Sequence, residues 1–178
     1  MKRWSYIIMG ILLMHEGKGQ KTGTALVAFT LPLVALIDLE SASSKNISLV
    51  FSAPTEAGNA VALPATNSSL WLNVTSAVTA TLTRQITAEM SGSVPSGLSV
   101  NLEVTGPFGS GAGTRGSPGP VITLSNSAQT VINGIGGAYT GTGISNGFQL
   151  NYSAVLQDYS LLTSGSGVFT VVFTLMDN

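Results

Sequence analysis

Alternation of apolar and polar residues is the dominant pattern of this chain. In the segment 168–176 the odd positions are apolar and threonines stand between some of them: Phe169, Val171, Phe173 and Leu175. A period of two with β-branched residues predicts a half-buried strand. Similar runs predict strands at 46–52, 69–75, 78–83, 85–90, 98–105, 121–124, 129–132 and 148–156. No comparable helical period is visible, and we expect at most a single helical turn, near 157–162.

The number and spacing of these runs predict the fold class. About nine or ten short strands between turn-rich joints indicate an all-β, antiparallel β-sandwich, jelly-roll or immunoglobulin-like, with an extended N-terminal strand. Two glycine-rich stretches interrupt the pattern. Residues 106–120 contain six Gly and three Pro, which predicts an exposed loop. Residues 133–147 contain six more Gly and end in Asn146-Gly147, a pair typical of tight turns.

The longest alternating segment covers residues 24–39. Its eight odd positions are all apolar: Ala25, Val27, Phe29, Leu31, Leu33, Ala35, Ile37 and Leu39. A strand of this length would extend about 50 Å at roughly 3.3 Å per residue, whereas ordinary strands measure about 17–20 Å. One small domain can hardly pair and cover all of it.

Three interpretations of this segment differ in where the apolar side chains are covered. A transmembrane helix is disfavoured, because the apolar run is short, contains Pro32 and ends at Asp38. The segment can instead form two strands of one sandwich, bent near Pro32. In the third interpretation residues 20–32 are an arm that adds as a strand to a neighbouring subunit. Ala25, Val27, Phe29 and Leu31 then form the subunit interface.

The first residues have the pattern of a secretory signal. Lys2 and Arg3 precede an apolar run at 4–14, and small residues at Gly17 and Gly19 suit cleavage after position 19. We therefore expect a signal peptide at 1–19, an arm at 20–32 and a sandwich domain at 33–178. The chain has no cysteine, so a secreted form has no disulfides to stabilise it.

Composition narrows the range of chemistry that the processed chain can perform. Removal of residues 1–19 takes away the one histidine, His15, and leaves four basic and seven acidic residues. We expect no enzyme activity, metal or cofactor, since His and Cys ligands and nucleophile–His pairs are missing. Four scattered cations also disfavour nucleic acid as a partner. Charged residues make up 8% of the chain against about 25% in typical soluble domains, which favours packing against other copies.

The apolar arm after a signal, the Ser/Thr/Gly-rich body and the final Phe169–Leu175 strand resemble secreted fimbrial and biofilm-matrix fibre subunits. The resemblance covers mainly residues 21–39 and 165–178. It implies polymerisation by donor-strand complementation between sandwich domains. The chain differs from chaperone–usher subunits in having no cysteine pair and no aromatic residue close to its end.

Several surface positions are candidate binding or modification sites. Trp71 shares a strand face with Asn73 and Thr75, opposite an apolar face, and Tyr139 lies in the second glycine-rich stretch; both aromatics suit sugar stacking or subunit contacts. Four Asn-x-Ser/Thr sequences are candidate glycosylation sites, at Asn46, Asn67, Asn73 and Asn151. The acids Asp38, Glu40, Asp158 and Asp177 are expected to be ordinary surface carboxylates.

Two functions remain open at this point. The first is a structural subunit of an extracellular, cell-surface filament such as a pilus or biofilm-matrix fibre. Its partners are copies of itself, and the processed chain has no transmembrane segment. The alternative is a secreted monomeric β-sandwich that binds surface glycans or mediates adhesion through Trp71 and Tyr139.

Overall fold

The computed structural model describes residues 22–178, and its regular structure is almost entirely strand. The described residues contain one single 3₁₀ turn, Tyr159–Leu161, within the predicted 157–162. The predicted all-β class is confirmed. The nine strands are β1 (Val34–Ser41), β2 (Asn67–Ala77), β3 (Arg84–Gly92), β4 (Leu98–Phe108), β5 (Ala112–Pro118), β6 (Ile122–Thr123), β7 (Gln129–Tyr139), β8 (Gly147–Leu156) and β9 (Phe169–Asp177).

The chain divides into two compact units, with the boundary between Leu31 and Pro32. In the first unit the described residues, 22–31, contain no helix or strand, and all their side chains are exposed. The second unit contains all nine strands. The signal peptide expected at 1–19 and the first two residues of the expected arm lie outside the described residues.

The second unit is a sandwich-like fold made from one hydrogen-bonded antiparallel sheet. Its strands follow the order β6-β4-β8-β2-β7-β3-β9, while β1 pairs with β2 and β5 pairs with β7. Both β2 and β3 pair with β7, at its end and its beginning respectively. Since β5 lies along the other edge of β7, β2 and β3 follow one another on the same edge. The layers are therefore β6-β4-β8-β2-β1 and β5-β7-β3-β9.

Bends between consecutive strands allow the sheet to fold over itself. Thr81 (φ 83°) lies between β2 and β3, Gly109 (φ 76°) between β4 and β5, and Gly141 (φ 89°) between β7 and β8. A positive φ turns the chain in a direction that extended residues do not adopt. The inward faces of both layers then form one core. Its fully buried side chains include Phe148, Leu72, Ile86, Leu102, Ile132, Ile135 and Leu150.

The N-terminal alternating segment forms a paired strand only in its second half. Pairing with β2 begins at Val34, and Ile37 and Leu39 pack against the core as their odd positions predict. Residues 22–33 are not in a strand. The part of the segment before Val34 therefore has no ladder of its own in the isolated chain.

The predictions of strands at 78–83 and 46–52 are wrong. Residues 78–83 form the bend between β2 and β3, where the Leu82 N–H donates to the Thr79 carbonyl (3.2 Å) and Thr81 has a positive φ. Residues 46–52 have a single bridge, from Ser52 to Ala62. Ile47 and Leu49 still pack against the core, so the alternation there indicates burial without a strand ladder.

The prediction of an exposed loop at 106–120 is also wrong, because β4 extends to Phe108 and β5 occupies Ala112–Pro118. The glycines serve close packing of β5 against β7. A Cβ at Gly113 would collide with the carbonyl oxygen of Gly137 on the neighbouring strand. Glycine in a strand often marks such a close backbone approach, which composition alone does not distinguish from a loop.

Candidate functional site

Strand β9 is paired along one edge only. All nine of its residues pair with β3, and no strand among residues 32–178 pairs with its other side, which we call the open edge. Phe169, Val171, Phe173 and Leu175 point toward the core, yet all four are only half-buried. The even residues between them are exposed. The core is therefore incompletely covered along the whole length of β9.

The backbone groups that point toward the open edge follow from two hydrogen bonds. The Met90 N–H donates to the Ser125 carbonyl (2.8 Å), so the backbone of Met90 points away from its β9 partner, Val171. The Asn178 N–H donates to the Thr83 carbonyl (2.9 Å), which continues the ladder at an even position. An antiparallel ladder alternates between pairs that are joined by hydrogen bonds, such as Thr83 with Asn178, and pairs whose backbone groups point away from each other, such as Met90 with Val171. The odd residues of β9 therefore present their N–H and C=O groups to the open edge.

The outer edge of β1 has the same arrangement in a more polar setting. Val74 donates its N–H to Thr140 Oγ1 (2.8 Å), and its carbonyl accepts the Thr140 N–H (3.0 Å), so its backbone points away from Ile37 of β1. Ile37 therefore directs its own N–H and C=O outward. Asp38 beside it is ion-paired with Lys45 (3.3 Å).

Arg84 joins the end of β9 to the start of β1. Its buried guanidinium donates from Nε to Asp177 Oδ1 (2.6 Å) and from Nη1 to the Val34 carbonyl and to Ser76 Oγ (3.2 Å). The two outer edges thus meet at one charged side chain, which satisfies acceptors on three strands. Sequence reasoning gave Arg84 no role, because its partners lie up to 93 positions away.

The four residues predicted as a subunit interface lie in the exposed first unit. Val27, Phe29 and Leu31 are 69%, 88% and 91% exposed, and Ala25 is also exposed. Leu26, on the other face, is 99% exposed. Soluble proteins seldom leave so many consecutive large apolar side chains in water unless the segment binds a partner.

The two predicted binding aromatics do not form one platform. Trp71 is half-buried and packs edge-on against Phe108, with ring centroids 5.7 Å apart. Tyr139, which is half exposed, pairs with Thr75, four residues farther along β2 and so about 13 Å from Trp71. Phe108 was missed because it stands in the stretch predicted as a loop.

The four candidate glycosylation sites differ in accessibility. Asn46 is exposed, whereas Asn67 and Asn151 are half-buried. Asn73 is buried, and its Nδ2 donates to the Gly143 carbonyl (3.0 Å), while its Oδ1 has no hydrogen-bond partner within the described chain. Asn46 is therefore the most accessible of the four in the folded domain.

Three of the acidic residues, Asp38, Asp158 and Asp177, form polar contacts within the domain. Asp158 caps the 3₁₀ turn and accepts hydrogen bonds from Ser160 Oγ (2.7 Å) and Ser160 N–H (2.9 Å), which lower its pKa. Asp38 and Asp177 are paired with Lys45 and Arg84. Across residues 22–178 no three His, Cys, Asp or Glu side chains come together as a metal site.

In the same described residues, no helix is both long and apolar enough to cross a membrane. Comparisons with protein-family models, with curated proteins and with solved structures found no match to this chain. The geometry of the chain therefore carries the functional argument.

Proposed function

We propose that this protein is a structural subunit of an extracellular filament, assembled when the arm of one copy adds as a strand to the next copy. The observation that carries the proposal is the exposed, alternating apolar part of the arm, residues 24–31, which has no strand partner among the described residues. Alternation of period two is the pattern of a strand with one buried face. A second chain supplies such a partner by strand addition.

The energetics of the arm suit a non-covalent polymer. Burial of Ala25, Val27, Phe29 and Leu31 on a neighbour would contribute very roughly 5–10 kcal/mol gross, at about 1.5–3 kcal/mol for each large side chain. Ordering of the arm opposes part of this gain. The low charge of the chain, 8% of residues, allows copies to pack closely.

Two matched variants of the full chain test this function: Phe29→Glu and Thr30→Glu. The first places a charge on the apolar face of the arm, and the second places the same charge on the opposite face. Phe29 is 88% exposed in the isolated chain, so neither variant should unfold the sandwich. We expect Phe29→Glu to weaken each junction at least tenfold, since about 1.4 kcal/mol corresponds to a factor of ten.

Negative-stain electron microscopy and sedimentation of the purified proteins provide the measurements. Filaments should form in the parent and in Thr30→Glu and be lost or shortened in Phe29→Glu. Equal filament length in all three proteins, or no filaments from the parent at any concentration, would contradict the proposed function.

The alternative is a monomeric module that binds glycans. Exposed Tyr139 favours it, since a shallow depression of about 380 Å³ beside this ring is lined also by Thr75 and Gly113. This alternative predicts a monomer by size exclusion and glycan binding that is weakened by Tyr139→Ala.

A further inference from the structure

The four outer strand edges of residues 32–178 differ in how they are protected against pairing with another chain. Proteins blunt such edges with short strands, charges, prolines or bulges. Strand β6 has only two residues, and β5 contains Arg115, Pro118 and a register shift between Gly113 and Arg115. The edge strand β1 carries Asp38 and Glu40. Three of the four edges thus have at least one protective feature.

Strand β9 has none of these features over most of its length. It pairs with β3 in an unbroken register from Phe169 to Asp177. No charged residue, glycine or proline occurs between Val168 and Met176. A long, uncharged, regular edge is a template for another strand. The core is also incompletely covered along this edge.

We infer that the open edge of β9 is the acceptor site for residues 24–31 of a second copy. This inference rests on the proposed function. The occupant fits in length, because the arm has four apolar odd positions and β9 has four half-buried odd positions at the same spacing. It also fits in charge, since residues 22–31 and 168–176 are all uncharged.

Hydrogen bonding favours the same partner. The N–H and C=O groups of Phe169, Val171, Phe173 and Leu175 point toward the open edge, and an added strand can pair with all of them. Its inward side chains would lie beside these four, against the half-covered core. One added strand therefore supplies hydrogen-bond partners for the outward N–H and C=O groups of β9 and also covers the half-exposed core beside it.

The connection to β1 fixes the kind of assembly. Only Pro32 and Leu33 separate residues 24–31 from β1. Two linker residues span at most about 10 Å between Leu31 and Val34. Because arm and acceptor are different surfaces of the protein, the contact is head-to-tail, and it propagates as an open chain when the rotation between copies does not close a ring.

Engineered disulfides test the acceptor site, and the absence of cysteine from the chain makes the readout clean. The test variant carries Ala28→Cys and Val172→Cys, both on the outward face of their segments, with Thr170→Cys or Thr174→Cys as neighbouring registers. The matched control combines Ala28→Cys with Thr123→Cys, an exposed residue of β6. Mild oxidation followed by a non-reducing gel should give a ladder of covalent oligomers with β9 cysteines and not with Thr123→Cys.

The outcomes separate this inference from the function on which it rests. Filaments in the microscope without any β9 ladder, or with a ladder at Thr123→Cys only, overturn the acceptor site and leave the filament subunit standing. A dimer formed by Val172→Cys alone shows pairing of two β9 edges and also overturns it. Absence of filaments from the parent removes the function and the acceptor site together.

Hydrogen exchange gives a second measurement that needs no cysteine. In the Phe29→Glu variant, diluted until it is monomeric, the odd-residue amides of β9, such as Val171 and Phe173, should exchange at least tenfold faster than the even ones, Val172 and Thr174, which bond to β3. In parent filaments the odd amides should become as protected as the even ones. Unchanged odd amides in filaments contradict the inference, whatever the cysteine variants do.

Discussion

Two outer edges of the sandwich differ in how the apolar core beside them is covered. At the β4 edge a short segment covers the core: Ile122 and Leu124 are 8% and 5% exposed. This segment also bonds to both layers, since the Leu124 N–H donates to the Val100 carbonyl (2.9 Å) and the Ser125 carbonyl accepts from Met90. At the β9 edge no strand among residues 32–178 pairs with the outer side, and the four inward side chains are only half-buried.

The two segments that could cover these edges are alike in sequence but not in connectivity. Residues 121–125 are held between β5 and β7, so they can reach only their own core. Residues 24–31 are joined to the sandwich only through Pro32 and Leu33. An alternating apolar segment can cover the core of its own domain or the core of another copy. Its connection to the rest of the fold decides which of the two it can reach.

The largest expected effect comes from the matched truncations Leu124→Ala and Leu175→Ala. Leu124 is buried at the covered edge, so its truncation should cost about 2–4 kcal/mol of unfolding free energy. Leu175 is half-buried at the open edge, and the same truncation in the monomer should cost only about 1 kcal/mol. Urea unfolding of both variants in the monomeric Phe29→Glu background gives the difference. Equal costs would show that the β9 edge is as well covered as the β4 edge.

An intermediate effect is expected at the junction of the two outer edges. Arg84→Met removes charge-assisted hydrogen bonds to Asp177, Val34 and Ser76, and should lower the unfolding free energy by about 1.5–3 kcal/mol. The control is Arg115→Met, because the exposed hydrogen bonds of Arg115 go only to the carbonyls of Phe108 and Gly109, at 3.2 and 3.4 Å. It should change stability by less than about 1 kcal/mol. A larger loss in the control than in Arg84→Met would refute the role given to Arg84.

The alternating sequence pattern correctly predicted which side chains of several strands face the core. The odd residues of β9 and Ile37 and Leu39 of β1 pack against the core, and Phe148, Leu150 and Tyr152 of β8 are buried in the predicted period of two. The single turn near 157–162 was also predicted correctly, because Asp158 caps it through local bonds. These features depend on residues a few positions apart.

Features that depend on distant neighbours were not predictable in this way. In the sequence alone the glycines of β5 indicate a loop. Their role in close packing becomes visible only when β7 is known to lie against β5. The edge position of β9 depends on which strands pair, and the partner of Trp71 stands 37 positions later, at Phe108. The lack of charge between Val168 and Met176 is the one local signal that could have drawn attention to the open edge.

The smallest expected effect at neutral pH concerns Tyr152, which faces the covered side of the core opposite Leu102 of β4. Burial raises its pKa well above the ordinary value of 10. The folded state therefore favours the neutral phenol, and this contribution is complete below about pH 10 and is lost as the pH rises toward the folded-state pKa. Tyr152→Phe cannot ionise, so it should unfold at a higher pH than the parent while changing stability little at pH 7. Circular dichroism as a function of pH measures this, with Tyr159→Phe, at a half-exposed ring, as the control. If the pH midpoint of alkaline unfolding is the same in Tyr152→Phe and in the parent, the Tyr152 phenol is not shielded from water in the folded state, and the β4 side of the core is no better covered than the β9 edge.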